Sequence, residues 1–173
     1  MDEQSTTGAP AGLIRRLAAL FYDTLLIVAL LFIVTFAMLP LTGGEAILNS
    51  TQGYLGHLYH ALLVLAAFAY FGVCWTRGGQ TLGMKAWRMR LATTDGSAPN
   101  WAEALVRFTI GLSFALLAAL GLWYLSGPGW SIRDIAALLL LLPALANLAW
   151  IRFDERGRSL QDLAGGLVVR RLG

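Results

Sequence analysis

Apolar residues in this chain are concentrated in four long blocks, which cover residues 17–39, 58–76, 108–125 and 135–151. About 20 apolar residues are needed to cross the hydrocarbon core of a bilayer, and each block is close to that length. The blocks show neither the strict alternation of a strand nor the narrow apolar stripe of a soluble amphipathic helix. The pattern therefore predicts an all-α membrane protein with four transmembrane helices.

The polar segments between these blocks predict the domain organisation. Residues 1–12 are small and polar and predict a disordered tail, whereas residues 13–173 form one transmembrane domain. A loop at 77–107 joins the second and third apolar blocks, and a second tail follows at 152–173. Within the loop, residues 101–108 are predicted to be a helix that returns to the membrane, with Asn100 as its cap and Glu103 three residues on.

Composition agrees with a membrane protein, because 57% of the residues are hydrophobic and only 13% are charged. Cys74 is the single cysteine, which excludes an intrachain disulfide. It lies inside the second apolar block, where we expect a buried and unreactive thiol.

The Lys and Arg residues predict the orientation of the helices. Of the 13 such residues, only Arg133 lies between the third and fourth blocks, and the others lie before the first block, in 77–107 or in 152–173. Short basic segments stay on the cytosolic side of a membrane. Both termini and the 77–107 loop are therefore predicted to be cytosolic.

Asp23 is the only formally charged residue between 17 and 39. A carboxylate at such a depth costs roughly 2.5–3.5 kcal/mol on insertion scales, so it needs a partner. Arg16 shares its helix face but lies ~10 Å away along the axis, and the two side chains do not lean toward each other. We expect either Arg107 from another helix, as the best candidate, or a water-filled pocket that opens to the cytosol.

A basic strip within the 77–107 loop is a candidate binding surface, and it consists of Lys85, Trp87, Arg88 and Arg90. The alternation of apolar and basic residues predicts a short β-prone strip here, and a second one lies at 167–169. Basic side chains beside a tryptophan suit anionic lipid headgroups or a partner protein. Nucleic acid is a poorer fit because the set is small and close to the bilayer, and an ordinary cytosolic loop is the plain alternative.

Motifs that carry enzymatic chemistry are missing from the sequence. It contains no nucleophile elbow, zinc-protease helix, phosphate-binding loop or paired cysteine ligands. His57 and His60 share a helix face, but no third ligand is spaced to join them, so we interpret them as polar residues at the outer interface. Asp23 and Asp162 have no nucleophile or metal placed beside them. We expect no enzyme, no metal and no cofactor.

Two short motifs indicate an internal repeat. Gly79–Leu82 and Gly157–Leu160 each follow an even-numbered helix and precede a β-prone strip, while Arg16 and Arg107 stand at matching entries to odd-numbered helices. Two helical hairpins of the same orientation would form a parallel repeat. Chance similarity between apolar sequences is the alternative.

Three blocks of the sequence, in order, resemble the RDD family of small bacterial membrane proteins. They are Arg16–Asp23, Gly79–Gly83 and Ser159–Gly165. The resemblance extends over nearly the whole chain, from residue 13 to residue 170.

The family is named after one arginine and two aspartates, which this resemblance assigns to Arg16, Asp23 and Asp162. Gly166 stands where the family commonly has a threonine, which argues against any role of a hydroxyl group at that position in this chain. The resemblance implies a multi-pass protein of the bacterial inner membrane and a link to transport, including cation/proton exchange.

Two functional hypotheses follow. In the first, the protein is a transport component in which Asp23 exchanges a proton or cation at a cytosol-facing site, and a homodimer is needed because one small bundle can hardly alternate access alone. In the second, it is a structural or assembly module in which Arg16, Asp23 and Asp162 form a buried polar clamp and the basic strip binds a partner membrane protein or anionic lipid. The sequence favours the first slightly, because the intramembrane acid and the resemblance agree.

Overall fold

The computed structural model describes residues 9–42, 53–126 and 132–172. Its elements, in chain order, are α1 (Leu13–Met38), α2 (Gly53–Gly78), α3 (Leu82–Ala86), β1 (Met89–Thr93), α4 (Trp101–Leu125), α5 (Ile132–Phe153), α6 (Leu160–Ala164) and β2 (Leu167–Arg171). The long helices α1, α2, α4 and α5 are long and apolar enough to cross a membrane. The prediction of a helical membrane protein with four such helices is confirmed.

The long helices extend beyond the predicted blocks. α4 begins at Trp101, seven residues before the third apolar block, as the spacing of Asn100 and Glu103 predicts, because these two residues form a capping box there. The Asn100 side chain accepts a hydrogen bond from Glu103 N (2.9 Å), and the Glu103 carboxylate accepts one from Asn100 N (2.8 Å). The rest of the segment at 77–107 contains α3 and β1.

The buried carboxylate of α1 faces the other elements, and most of the large apolar side chains of this helix are exposed. The buried residues of α1 are Ala19 and Asp23, which lie on the same helix face as Arg16. Large apolar residues elsewhere on the helix are exposed, including Phe32 (61%) and Ile33 (66%). This is the distribution that a bilayer requires, since charged groups inside it face the interior of the bundle.

The internal repeat is confirmed by the order of the elements, because two long helices, a five-residue helix and a five-residue strand occur twice. Thr81 caps the N-terminus of α3 and Ser159 caps that of α6, each by accepting a hydrogen bond from the backbone N–H three residues on. The glycine two residues before each cap, Gly79 or Gly157, has a positive φ of 67° or 62°, which allows the tight turn out of the preceding helix.

The two strands form an antiparallel sheet whose register follows the same repeat. Met89 pairs with Arg171, Leu91 with Val169 and Thr93 with Leu167. Exchanging each residue for its equivalent in the other half turns the first pair into the third and leaves the central pair unchanged. The two halves of the chain therefore meet along a local two-fold axis that passes through the centre of the sheet.

The end of the helix bundle that carries the sheet, α3 and α6 is here called the strand end, and it contains the buried core. This core joins Met89, Leu91, Leu167 and Val169 of one sheet face to buried residues of α1, α2 and α4. Ala11 N also donates to Val169 O (3.1 Å), so the described part of the predicted disordered tail is paired with β2. Residues 1–8 of that tail lie outside the described residues.

Candidate functional site

Two buried carboxylates lie at the strand end, and the first is that of Asp162. It is fully buried and lies between two guanidinium groups: Arg16 Nη1 donates to Asp162 Oδ2 at 2.7 Å, and Arg107 forms an ion pair with Asp162 Oδ1. The backbone N–H of Ser159 also donates to Oδ2 (3.1 Å) and completes a capping box at the start of α6. We call Arg16, Arg107 and Asp162 the Asp162 clamp.

Arg16 holds three separate segments of the chain together. Besides Asp162, it donates from Nε to Ala11 O (3.1 Å) and from Nη2 to Gly157 O (2.6 Å). These bonds join α1 to the segment that pairs with β2 and to the turn before α6. A planar guanidinium supplies several donors in a fixed geometry, which a lysine could not do at this position.

Arg107 lies between a carboxylate and an aromatic ring. Its guanidinium carbon is 5.0 Å from the centroid of the Trp75 ring, and Trp75 in turn stacks on Phe71. The clamp thus connects α4 to α2 as well as to α6. A cation above the face of a tryptophan is stabilised by the ring quadrupole, most strongly where water is excluded.

The second buried carboxylate is Asp23, and it is held by neutral donors. It accepts hydrogen bonds from Tyr70 Oη (2.9 Å), Thr81 Oγ1 (2.5 Å) and Gly83 N (3.0 Å). Gly83 lies so close to α1 that a Cβ there would collide with the Ala19 carbonyl oxygen and approach the Asp23 carboxylate. We call Asp23, Tyr70, Thr81 and Gly83 the Asp23 joint, and it fastens the N-terminus of α3 to α1 and α2.

The expected pairing of Asp23 with Arg107 is wrong, and so is the inclusion of Asp23 in one clamp with Arg16 and Asp162. Both arginines bind Asp162 instead. Within residues 9–42, 53–126 and 132–172, no lysine or arginine forms an ion pair with Asp23. Arg16 lies near the start of α1, and Asp23 lies ~10 Å deeper along that helix, at the level where α3 packs.

The basic strip does not form one continuous face. Lys85 and Arg88 are exposed, whereas Trp87 and Arg90 are half-buried. Arg88 adopts a positive φ of 51° at the turn between α3 and β1, and this turn separates Lys85 from the strand. Trp87 O accepts a hydrogen bond from Arg15 Nη1 (3.4 Å), so the strip is tied to the start of α1.

Sequence reasoning missed the residues that surround Asp23, and it also missed Trp75. One local signal was present: Ser159 and Asp162 have the spacing of a capping box, which predicts the start of a helix at α6. The repeat then predicts Thr81 as the matching cap of α3. No local pattern points to Tyr70, because its contact with Asp23 depends on how α1 and α2 pack.

The remaining candidate residues take no part in either cluster. His57 and His60 are exposed in α2, and the ring of His60 hydrogen-bonds to Gly56 O. Cys74 is half-buried, so it is more accessible than expected. Among the described residues, no group of three His, Cys, Asp or Glu side chains is arranged to hold a metal ion.

Asn147 links α5 to the strand end. It is buried, and its side-chain oxygen accepts a hydrogen bond from Leu160 N (2.9 Å), the first backbone group of α6. An amide inside a membrane-spanning helix is stabilised by such a bond to a neighbouring element. All four long helices therefore contribute a polar side chain or an aromatic ring to the strand end.

A family model described as the RDD family matches residues 10–166. No curated protein and no solved structure matches the chain. The matched region contains both buried carboxylates and both arginines of the Asp162 clamp. Because the match covers most of the chain, and because its helices are long and apolar enough to cross a membrane, this chain belongs to the RDD family of membrane proteins.

Proposed function

We propose that this protein is a non-catalytic assembly module, which presents the strand end as a rigid platform to a partner membrane protein. The observation that carries the proposal is the complete burial of Asp162 between Arg16 and Arg107. These three side chains come from α6, α1 and α4, so a single ionic cluster fixes α6 and joins the two halves of the chain.

The energetics of a buried ion cluster favour a fixed structure over a mobile one. Removing one partner from such a cluster typically costs 3–5 kcal/mol, because it leaves an uncompensated buried charge. The oxygens of Asp162 are used by two guanidinium groups and a backbone N–H. Such a carboxylate has little capacity left to bind and release a transported ion, whereas it is well suited to hold a surface in shape.

We further propose that the protein lies in the bacterial inner membrane with both termini in the cytosol. The distribution of Lys and Arg supports this orientation, since only Arg133 lies at the end opposite to the strand end. Cysteine labelling tests it: in a Cys74→Ala background, Arg171→Cys should react with a membrane-impermeant maleimide only after permeabilisation. Tyr54→Cys, at the opposite end of α2, should react in intact cells, and the reverse pattern would refute the orientation.

The partner is tested by site-specific photo-crosslinking in native membranes. A photoreactive amino acid at Lys85, which is exposed in α3, should give a discrete protein adduct, and an adduct of twice the chain's mass would identify a second copy as the partner. The same probe at Val28, exposed on the outer face of α1, is the control and should give none. Absence of any discrete adduct from Lys85 in a well-inserted protein would refute the proposal.

A second candidate function is cation/proton exchange at Asp23, and one observation favours it. Asp23 is 4% exposed, lies well inside α1 and is bound by two hydroxyl groups and an N–H, and no lysine or arginine of the described segments forms an ion pair with it. An ionisable residue inside a membrane without a permanent counter-charge is a common place for a proton or a small cation to bind.

Proteoliposomes that contain a pH-sensitive dye test this second function. A sodium or potassium gradient should drive proton flux through the wild-type protein, and Asp23→Asn should abolish it. Asp154→Asn is the matched control, since it removes an acid from the loop after α5 and should leave the flux unchanged. Flux that persists in Asp23→Asn would exclude Asp23 as the exchanging group.

A further inference from the structure

The outer face of the two-stranded sheet carries two arginines in direct opposition. Arg90 of β1 pairs with Arg170 of β2, so the two side chains leave the same face of the sheet. Their Cβ atoms are therefore about 5 Å apart, as in any directly opposed pair. The core lies against the other face, through Leu91, Val169, Met89 and Leu167. The pair Ala92 and Val168, which shares the face of the arginines, is buried as well.

Neither arginine has a partner for its charge within the described part of the chain. No ion pair and no side-chain hydrogen bond involves Arg90 or Arg170 there, although both side chains are half-buried. The Nε atom of Arg90 is itself buried without a hydrogen-bond partner. Like charges in opposition destabilise a sheet, and a buried unpaired donor adds a further cost.

The position of Arg90 is fixed by the turn at Gly79. Its Cγ and Nε atoms lie 3.1 and 3.2 Å from the place where a Cβ of Gly79 would be. Gly79 O also accepts the Leu91 N–H at 2.7 Å, so the turn and β1 are held together. The Arg90 side chain is thus packed along the backbone of the turn, which limits the conformations that it can adopt.

We propose that Arg90 and Arg170 together bind the phosphate of an anionic phospholipid. Guanidinium groups on two directly opposed residues can together offer several donors to the oxygens of one phosphate. A free phosphate would satisfy the same chemistry, but the sheet lies at the end of four membrane-length helices, where lipid headgroups are present at high local concentration. The lipid is therefore the occupant that we propose. The site does not depend on the partner protein proposed above, and it shares no residue with the Asp162 clamp.

Lipid binding by the purified full chain in a neutral detergent tests the proposal. Native mass spectrometry should show that phosphatidylglycerol binds more tightly than phosphatidylcholine with the same acyl chains. Arg90→Gln and Arg170→Gln should each reduce this preference by about tenfold, the effect of losing one charge-assisted hydrogen bond. Arg156→Gln, which removes the same charge from an exposed loop position at the strand end, should change it by less than about twofold.

A charge reversal separates binding from folding. Arg90→Glu places a carboxylate opposite Arg170, so the variant should melt at or above the wild-type temperature while losing the preference for phosphatidylglycerol. An unchanged preference in Arg90→Glu or in the two glutamine variants would refute the site. Displacement of the lipid by inorganic phosphate at comparable concentration would show that a free phosphate, and not a lipid, is the ligand.

Discussion

The two buried carboxylates of the strand end, Asp23 and Asp162, each join a short helix to a long one, yet they are stabilised in different ways. Each one meets the N-terminus of a five-residue helix, α3 for Asp23 and α6 for Asp162. Asp162 belongs to the short helix and is bound by two cations, whereas Asp23 belongs to the long helix and is bound by neutral donors. The repeat has thus kept the joint between a long and a short helix while changing the side chains that form it.

The two clusters also differ in their formal charge. The Asp162 clamp combines two positive groups with one negative group, and the Asp23 joint carries one negative group. Each cluster alone has a net charge, and the two charges have opposite sign. The clamp has the excess of positive charge, and it lies near the start of α1, at the kind of helix end where basic groups meet lipid headgroups. Asp23 lies ~10 Å further along the same helix.

The largest effect that we expect comes from the clamp. Asp162→Asn leaves two buried guanidinium groups facing each other without a counter-charge, and it should lower the free energy of unfolding by about 3–5 kcal/mol. Unfolding in mixed detergent micelles measures this change. Asp154→Asn, which removes a carboxylate from the partly exposed ion pair with Arg158, is the control and should cost no more than about 1 kcal/mol. If Asp162→Asn cost as little, the clamp would not be the main link between the two halves.

The joint at Asp23 should respond more weakly, because its donors are neutral. Asp23→Asn puts an amide next to three donors and should lower the free energy of unfolding by about 1–3 kcal/mol.

A double-mutant cycle with Arg107→Gln tests the difference between the two carboxylates directly. Residues without a shared partner add to within about 0.5 kcal/mol, so Asp23 and Arg107 should be additive, while Asp162 and Arg107 should be strongly coupled. Strong coupling between Asp23 and Arg107 would restore the pairing that the sequence suggested.

The sequence predicts the membrane-spanning helices and the signature residues well, because both depend on local patterns. Four apolar blocks of membrane length predict four helices, and the paired motifs at Gly79 and Gly157 predict the repeat. The cap at Asn100 is likewise visible in four residues of sequence, from Asn100 to Glu103. These features need no knowledge of which helices are neighbours.

The partners of the charged residues could not be predicted, because they depend on packing between distant segments. Asp162 is far from Arg16 in the chain, and only the return of α6 to the start of α1 brings them together. The short helices α3 and α6 have too few residues for a periodic signal, and yet they decide which carboxylate each arginine reaches. Opposite charges inside a membrane must find partners, but the sequence does not say which ones.

The smallest expected effect concerns the ion pair between Asp154 and Arg158. This pair also lies at the strand end, but its side chains are partly exposed to solvent, unlike Asp162. The carboxylate accepts hydrogen bonds from Arg158 Nε and Nη2 and from two backbone N–H groups, and these lower the pKa of Asp154 to about 2. In the unfolded chain an aspartate has a pKa of about 3.9. Because the folded pKa is the lower one, the pair stabilises the fold above about pH 4 and loses that effect as the pH falls toward 2.

Melting temperatures of the wild type and of Asp154→Asn, measured side by side from pH 6 to pH 3, test this prediction. The wild type should be slightly more stable at pH 6, by no more than about 1 kcal/mol, and the difference should narrow as the pH falls. Using the difference removes the contribution of all other acids, including Asp162. A difference that stays constant over this range would show that Asp154 stabilises the turn before α6 by its shape and not by its charge. The Asp162 clamp would then be the ion pair that contributes more to the free energy of unfolding at the strand end.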